Sequence, residues 1–358
     1  MSESLSKGPG FKKFKGVQPK TVGLPTGELI RESELFPGQS LPLLIEPNVP
    51  DVDLIEWARA NRDLLENRLR RDGAILFRGF KVESAYQFER FTMAICDDVA
   101  DDNGELPRSK ISGKIYGVSY APPTHKILWH NENTFCPTWP LKLWFYCKLP
   151  PQSGGETPVV DNRRMLSLID PQIVEEFSRK DIMYFRNYGR GLDFSWQTAF
   201  QTDDKMRAEQ ICRDSGIEFE WRADDILRTR SVRRAVARHP RTGELVWFNQ
   251  ACLWHMYCSP PEIRRAMNTF FREDELTRHC YFGDGSVIPD AYMENICAAY
   301  REAEVHFPWQ QGDVMMIDNM LTAHARNPFS GPREILAALG EIVTEKDLET
   351  AGDHHAAS

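Results

Sequence analysis

The tetrapeptide Trp129-His130-Asn131-Glu132 sets a histidine and a carboxylate two positions apart. In an extended segment, positions i and i+2 project from the same side with Cα atoms about 6–7 Å apart, so one metal ion can take both side chains. Alone the pair says little: nine histidines and 52 acidic residues in 358 positions give about 1.3 such matches by chance, and the chain holds one. A third candidate ligand is His324, which follows a strand over Val314 to Ile317 and the dipeptide Asp318-Asn319. Asn327, Pro328, Ser330, Gly331 and Pro332 make a dense turn signal, after which Arg333 opens another strand. This order predicts His324 and Arg333 on neighbouring antiparallel strands. Two histidines and one carboxylate on one face of Fe(II) leave three coordination positions, enough for a bidentate oxoacid and O2. The far carboxylate of such an oxoacid needs a cation, and a planar arginine fork matches a carboxylate better than an ammonium does. Arg333 is the candidate.

The elements around these residues are partly legible. Apolar residues recur at helical spacing from Val52 to Arg71, and Gly73 ends the pattern. Ala74 to Phe77 reads as a short buried strand. Further strands are expected at Leu143 to Leu149, Thr157 to Val160, Leu245 to Phe248, Val314 to Ile317 and Glu334 to Ile342. Asp170-Pro171 supplies an N-cap and a first-turn proline for a helix, Ser259-Pro260-Pro261-Glu262 a capping box for another, and a third follows Asp290. The domain reading is an extended N-terminal arm over 1–50, one β-rich domain over 51–345 with a helical insert at about 161–300, and a polar tail over 346–358.

Composition narrows the function classes. A formal net charge of −8 gives no field that would gather a polyanion, so nucleic acid is not an expected partner. No stretch approaches the roughly 20 apolar residues needed to span a bilayer, and the lysines of the first 20 residues are not followed by an apolar run; a cytoplasmic protein without membrane association is expected. The eight cysteines form no Cys-x-x-Cys pair and read as buried free thiols, which leaves histidines and carboxylates as the metal-ligand candidates. His125, His239, His255, His279 and His306 lack a partner at ligand spacing and read as structural or surface residues.

The chain resembles the TauD/TfdA-like Fe(II)/2-oxoglutarate oxygenases, in the branch with glutamate in the metal motif, similar to clavaminate synthase and SyrP-like amino-acid hydroxylases. The matching pieces run, in the family's order, from Ala74-Ile75-Leu76-Phe77-Arg78-Gly79-Phe80 through Trp129-His130-Asn131-Glu132 and Gly154-Gly155-Glu156-Thr157-Pro158. They continue with Asp318-Asn319, His324-Ala325-Arg326 and Pro332-Arg333. The resemblance implies a mainly β fold with inserted helices (α+β), a distorted double-stranded β-helix or jelly roll. It implies Fe(II) on His130, Glu132 and His324, with 2-oxoglutarate as co-substrate on Thr157 and Arg333 and O2 as oxidant. It further implies a dioxygenase that releases succinate and CO2 while hydroxylating an unactivated C–H bond. Where sulfonate-processing relatives carry a second arginine, four residues beyond Arg333, this chain has Ala337, which argues against taurine.

For the substrate, the expectation is an amino acid or a carrier-tethered aminoacyl group in natural product biosynthesis. Arg326, two residues after His324 and so on the same face of its strand, would need an anion if it points inward. A substrate carboxylate is one such anion; sharing the co-substrate and pairing with Asp318 are the alternatives. Asn131, Tyr116 and Ser119 are candidate polar contacts by chain proximity. Lysines at 7, 12, 13, 15 and 20 would suit an acidic carrier protein. Desaturation or oxidative cyclisation is the alternative outcome within the same chemistry. Outside it stand a silent jelly-roll binding protein and a zinc hydrolase on the same ligand set. Succinate release from 2-oxoglutarate under Fe(II) and air separates the three classes.

Overall fold

The computed structural model describes residues 29–100, 110–118, 121–189 and 194–348. Its strands are β1 Ile30–Phe36, β2 Gln39–Pro47, β3 Ala74–Phe77, β4 Lys110–Ser112, β5 Ile115–Gly117, β6 Ile127–His130, β7 Thr138–Leu149, β8 Ser153–Gly154 and β9 Val159–Asp161. They continue as β10 Ile182–Tyr188, β11 Glu218–Arg222, β12 Ile226–Arg233, β13 Val236–Arg238, β14 Leu245–Trp247, β15 Arg278–Phe282, β16 Val314–Asp318, β17 Thr322–Arg326, β18 Phe329–Ser330 and β19 Glu334–Thr344. Eight of them form a major sheet in the order β1-β2-β3-β16-β7-β19-β5-β4, which faces a minor sheet β6-β17-β9. Together the two sheets make the distorted double-stranded β-helix.

Side-chain alternation sorts the core into layers. On β7, Leu143, Phe145 and Cys147 point between the sheets, where they meet Met315, Ile317, Ile335, Ala337, Val159 and Trp309. Trp144 and Tyr146 point the other way, onto Trp57, Leu65, Phe88 and Phe91 of the helices Leu54–Ala60, Arg62–Asp72 and Ala85–Ile95. On β17 the same alternation sends Ala323 and Ala325 to the outer side of the minor sheet, against Trp129, Trp247 and Tyr300. Its other face carries Thr322, His324 and Arg326, all buried. At Gly73 the chain turns from helix to β3 with φ 79°, and a Cβ there would meet Thr322 Oγ1 at 2.5 Å. Only glycine fits both the left-handed turn and that approach.

Several expectations are corrected. The helical pattern of 52–71 is two helices broken at Asn61, whose ψ of 29° departs from helical geometry, although the second does end at Gly73. The proposed capping box at 259–262 is not formed: Ser259 closes the preceding 3-10 turn, and the helix Pro261–Phe270 starts without a side-chain cap. The N-terminal arm is in part a hairpin, β1 with β2, that joins the major sheet beside β3. Alongside its helices the insert also holds a four-stranded sheet, in the order β11-β12-β10-β15, whereas the one strand expected there, Leu245 to Phe248, lies outside that sheet, with β14 paired to β13. Finally, His324 and Arg333 are not on neighbouring strands. β17 pairs with β6 and β9 in the minor sheet, whereas β19 pairs with β7 and β5 in the major one. The run 327–332 does turn, but it crosses from one sheet to the other, pinned midway where β18 pairs with β8.

Candidate metal centre

His130 ends β6 and His324 lies on β17 directly opposite it in register. Their rings are 4.2 Å apart between centroids. Glu132 follows two residues beyond His130, and its Oε2 comes to 3.7 Å from His324 Nε2. One nitrogen from each histidine and one oxygen from Glu132 lie within 4.8 Å of one another. An ion about 2.1 Å from each donor can bridge atoms up to about 4.2 Å apart, so the carboxylate and His324 are within reach of a single cation.

The donor chemistry fits Fe(II). His130 Nδ1 lies 2.7 Å from the Leu128 carbonyl oxygen, which only accepts, so Nδ1 carries the proton and Nε2 keeps its lone pair for a metal. The Glu132 carboxylate adds the hard anionic ligand. Phe145 from the major sheet packs its ring 5.2 Å from that of His324, giving the centre an apolar wall.

The backbone around the ligands is tied by buried polar groups, only some of which the sequence marked. Asn319 Oδ1 accepts the Glu132 N–H at 2.7 Å, and Asn319 Nδ2 donates to the carbonyls of Glu132 at 3.0 Å and Pro140 at 2.9 Å. Gln250 Nε2 donates to the Asn131 carbonyl at 2.7 Å from 119 positions away. Asp318 Oδ1 accepts the N–H groups of Met320 and Leu321, while its Oδ2 lies 3.1 Å from His239 Nε2. His239 Nδ1 accepts from the N–H groups of Arg241 and Thr242, so Nε2 is the protonated nitrogen and donates to Asp318. Asp318-Asn319 was visible as a motif; Gln250 and His239 had no local pattern to mark them.

Arg333 packs against the turn at Gly155, two residues before Thr157 in the chain. Arg333 Nε donates to the Gly155 carbonyl at 3.0 Å, and no ion pair joins this guanidinium to a carboxylate among the described residues. Burial, with Arg326 alongside, pulls Arg333 from the usual guanidinium range down to about 10. A cation so placed is stabilised by an incoming anion. Thr157 Oγ1 accepts from Trp309 Nε1 at 3.2 Å, which leaves the hydroxyl proton for an acceptor.

The substrate candidates fare differently. Arg326 is a framework residue: its terminal nitrogens donate to the carbonyls of Ala121 at 2.9 Å and of Pro122 and His125 at 2.7 Å each. The other partner considered, Asp318, is instead engaged by the N–H groups of Met320 and Leu321 and by His239. Asn131 is corrected likewise, since its Nδ2 donates to the carbonyls of Asn319 and Thr322, joining β6 to β17. Tyr116 is buried on β5 opposite Ala337, on the inter-sheet face. Ser119 lies outside the described residues, as do the lysines of the N-terminal arm and the tail from 349 onward.

Residues 37–339 match the family described as taurine catabolism dioxygenase TauD, TfdA. The dapdiamide synthesis protein DdaC of Enterobacter agglomerans is 40% identical over 276 residues, 77% of this chain and 84% of that protein. A clavaminate synthase-like protein of Arabidopsis thaliana is 31% identical over 326 residues, covering 86% and 94% of the two chains. Among solved structures, PvcB of Pseudomonas aeruginosa superposes with a TM-score of 0.52 at 17% identity, over 91% of this chain and 95% of PvcB. A taurine dioxygenase of Burkholderia xenovorans gives 0.51 at 15% identity over 89% and 92%.

Proposed function

Because the chain belongs to the TauD, TfdA family and is thus a 2-oxoglutarate-dependent dioxygenase using Fe(II) and O2, we propose that it hydroxylates an amino acid or carrier-tethered aminoacyl group at an unactivated C–H bond. His130, Glu132 and His324 would hold the iron, and the observation that carries this assignment is the convergence of their donor atoms within 4.8 Å. Bound there with 2-oxoglutarate and O2, iron supplies the oxidising power that puts one oxygen atom into substrate and the other into succinate, with loss of CO2.

The chain's own residues do the positioning. Arg333 takes the far carboxylate of 2-oxoglutarate, and Thr157 donates its hydroxyl proton to the same group. The Leu128 carbonyl fixes the tautomer of His130. Asn319 fixes the peptide of Glu132, so that the carboxylate needs little reorganisation on binding metal. Phe145 and the apolar layer between the sheets exclude water from the ligand side of His324.

The substrate class rests on the resemblance to glutamate-motif hydroxylases and on the relative named for dapdiamide synthesis, a biosynthetic setting. Ala337, in place of the second arginine of sulfonate-processing relatives, is consistent with it. The test is a screen of free amino acids against carrier-bound aminoacyl thioesters, reading succinate and the mass gain of one oxygen atom. A product with two fewer hydrogens would mean desaturation or cyclisation. Activity confined to sulfonates or aryloxy acids would overturn the substrate reading while leaving the family chemistry in place.

A further inference from the structure

In the apolar cluster around Trp129, behind the strand that ends at His130, three cysteines with no shared motif meet. Cys252 lies on the helix Ala251–Trp254, Cys258 ends the 3-10 turn Met256–Cys258, and Cys297 is mid-helix in Asp290–Ala303. Cys297 Sγ is 3.5 Å from Cys252 Sγ and 3.4 Å from Cys258 Sγ, and all three sulfurs lie within 4.8 Å of one another. A triangle with those edges has its centre about 2.0–2.4 Å from each sulfur, which brackets the roughly 2.3 Å bond between zinc and a thiolate. The triangle is buried at Cys252 and Cys297 and half-buried at Cys258, so an ion has a way in.

We propose that Cys252, Cys258 and Cys297 form a second metal site, a trithiolate that takes a thiophilic d10 cation, Zn(II) or Cu(I). Sulfur ligands select such ions over the hard cations that suit Glu132 and its two histidines. The site would clamp the two helical pieces that back the iron-binding segment. Gln250, immediately before Cys252's helix, holds the Asn131 carbonyl. Tyr300, one turn beyond Cys297, stacks on Trp129 at 5.1 Å with the rings 4° from parallel.

The experiment is metal titration of the reduced full-length chain. Co(II) serves as a spectroscopic probe for zinc, and Zn(II) and Cu(I) are each titrated against a chromophoric chelator, the latter without oxygen. The expected result is a thiolate-to-cobalt charge-transfer band in the near ultraviolet, which a site of histidines and a carboxylate does not give, displaced by one equivalent of Zn(II). Cys297→Ser should abolish the band and weaken the tighter-binding ion at least 100-fold, while Cys212→Ser, in a separate apolar cluster, leaves both unchanged. Cys258→Ser, at the half-buried corner, provides the same test should the Cys297 variant fail to fold. Tight binding of Zn(II) alone or of Cu(I) alone identifies the ion. Absence of the band together with no competition from either ion would overturn the proposal. So would unchanged affinity in both serine variants, or a disulfide among the three in the protein as purified.

Discussion

Asn319 holds the peptide of Glu132 from both ends, its Oδ1 taking the N–H at 2.7 Å and its Nδ2 giving to the carbonyl at 3.0 Å. Glu132 is followed by Asn133 in the left-handed region at φ 60°, so the carboxylate sits on a tight turn that nothing in β6 itself would fix. Replacing Asn319 by alanine leaves a buried N–H without its acceptor, at a cost of about 1–3 kcal/mol. Fe(II) affinity should fall about 10–100-fold, as it does when other groups supporting a ligand are removed. Metal titration followed by succinate release at saturating Fe(II) checks this: activity should return at high iron. Unchanged Fe(II) affinity would show that Glu132 needs no such support.

Loss of a ligand should behave differently. His324→Ala removes one of three donors, so succinate production should be abolished at any practical Fe(II) concentration. Wild-type succinate release with iron-dependent kinetics in that variant would remove His324 from the ligand set.

For Arg333 the expected signature is in pH. Burial and the neighbouring Arg326 pull its guanidinium down to about 10, still charged across the working range. A lysine in its place, depressed by a similar amount from about 10.4, would titrate near about 8. The charged form binds the carboxylate. In Arg333→Lys, affinity for 2-oxoglutarate should therefore be full below that pKa and lost as pH rises through it, falling about tenfold by about pH 9. The wild-type profile should stay flat over the same span. Calorimetric titration of 2-oxoglutarate at several pH values measures this, and parallel profiles would place the co-substrate carboxylate elsewhere.

The candidate ligands were legible because each stands next to a strong local pattern: an extended His-x-Glu, and a buried apolar strand followed by Asp318-Asn319. β3 and β16 were legible for a related reason, being short apolar runs closed by turn residues. The insert's sheet was not. β12 carries Arg228, Arg230 and Arg233, whose charges mask the strand alternation, and Arg228 and Arg233 are buried by long-range partners that sequence does not display. The crossing between sheets at 327–333 was misread for a physical reason as well. A proline- and glycine-rich turn signals that the chain reverses, but not whether the next strand pairs with the last one. That depends on which edges are free, and β17 already lies between β6 and β9.

Arg326 gives the sharpest contrast between a substrate-binding and a framework reading. Its fork closes on the carbonyls of Ala121, Pro122 and His125, and it lies opposite Ile127 where the β6–β17 register shifts. The guanidinium thus fixes where β6 begins, three residues before His130. Arg326→Met keeps much of the buried stem and removes every donor. Hydrogen bonds from a charged group contribute about 1.5–3 kcal/mol each, but carbonyls in a partly exposed turn recover some of that from water. A net loss of about 2–4 kcal/mol is expected, lowering Tm by roughly 5 °C or more. Affinity for 2-oxoglutarate should hold or fall slightly, because Arg333 is charged in either case and one nearby positive charge has been removed. A substrate-carboxylate role predicts the reverse: an unchanged Tm with the substrate KM raised tenfold or more. Thermal unfolding and KM for both substrates, measured on the same variant, decide between the two, and the second pattern would return Arg326 to the substrate site.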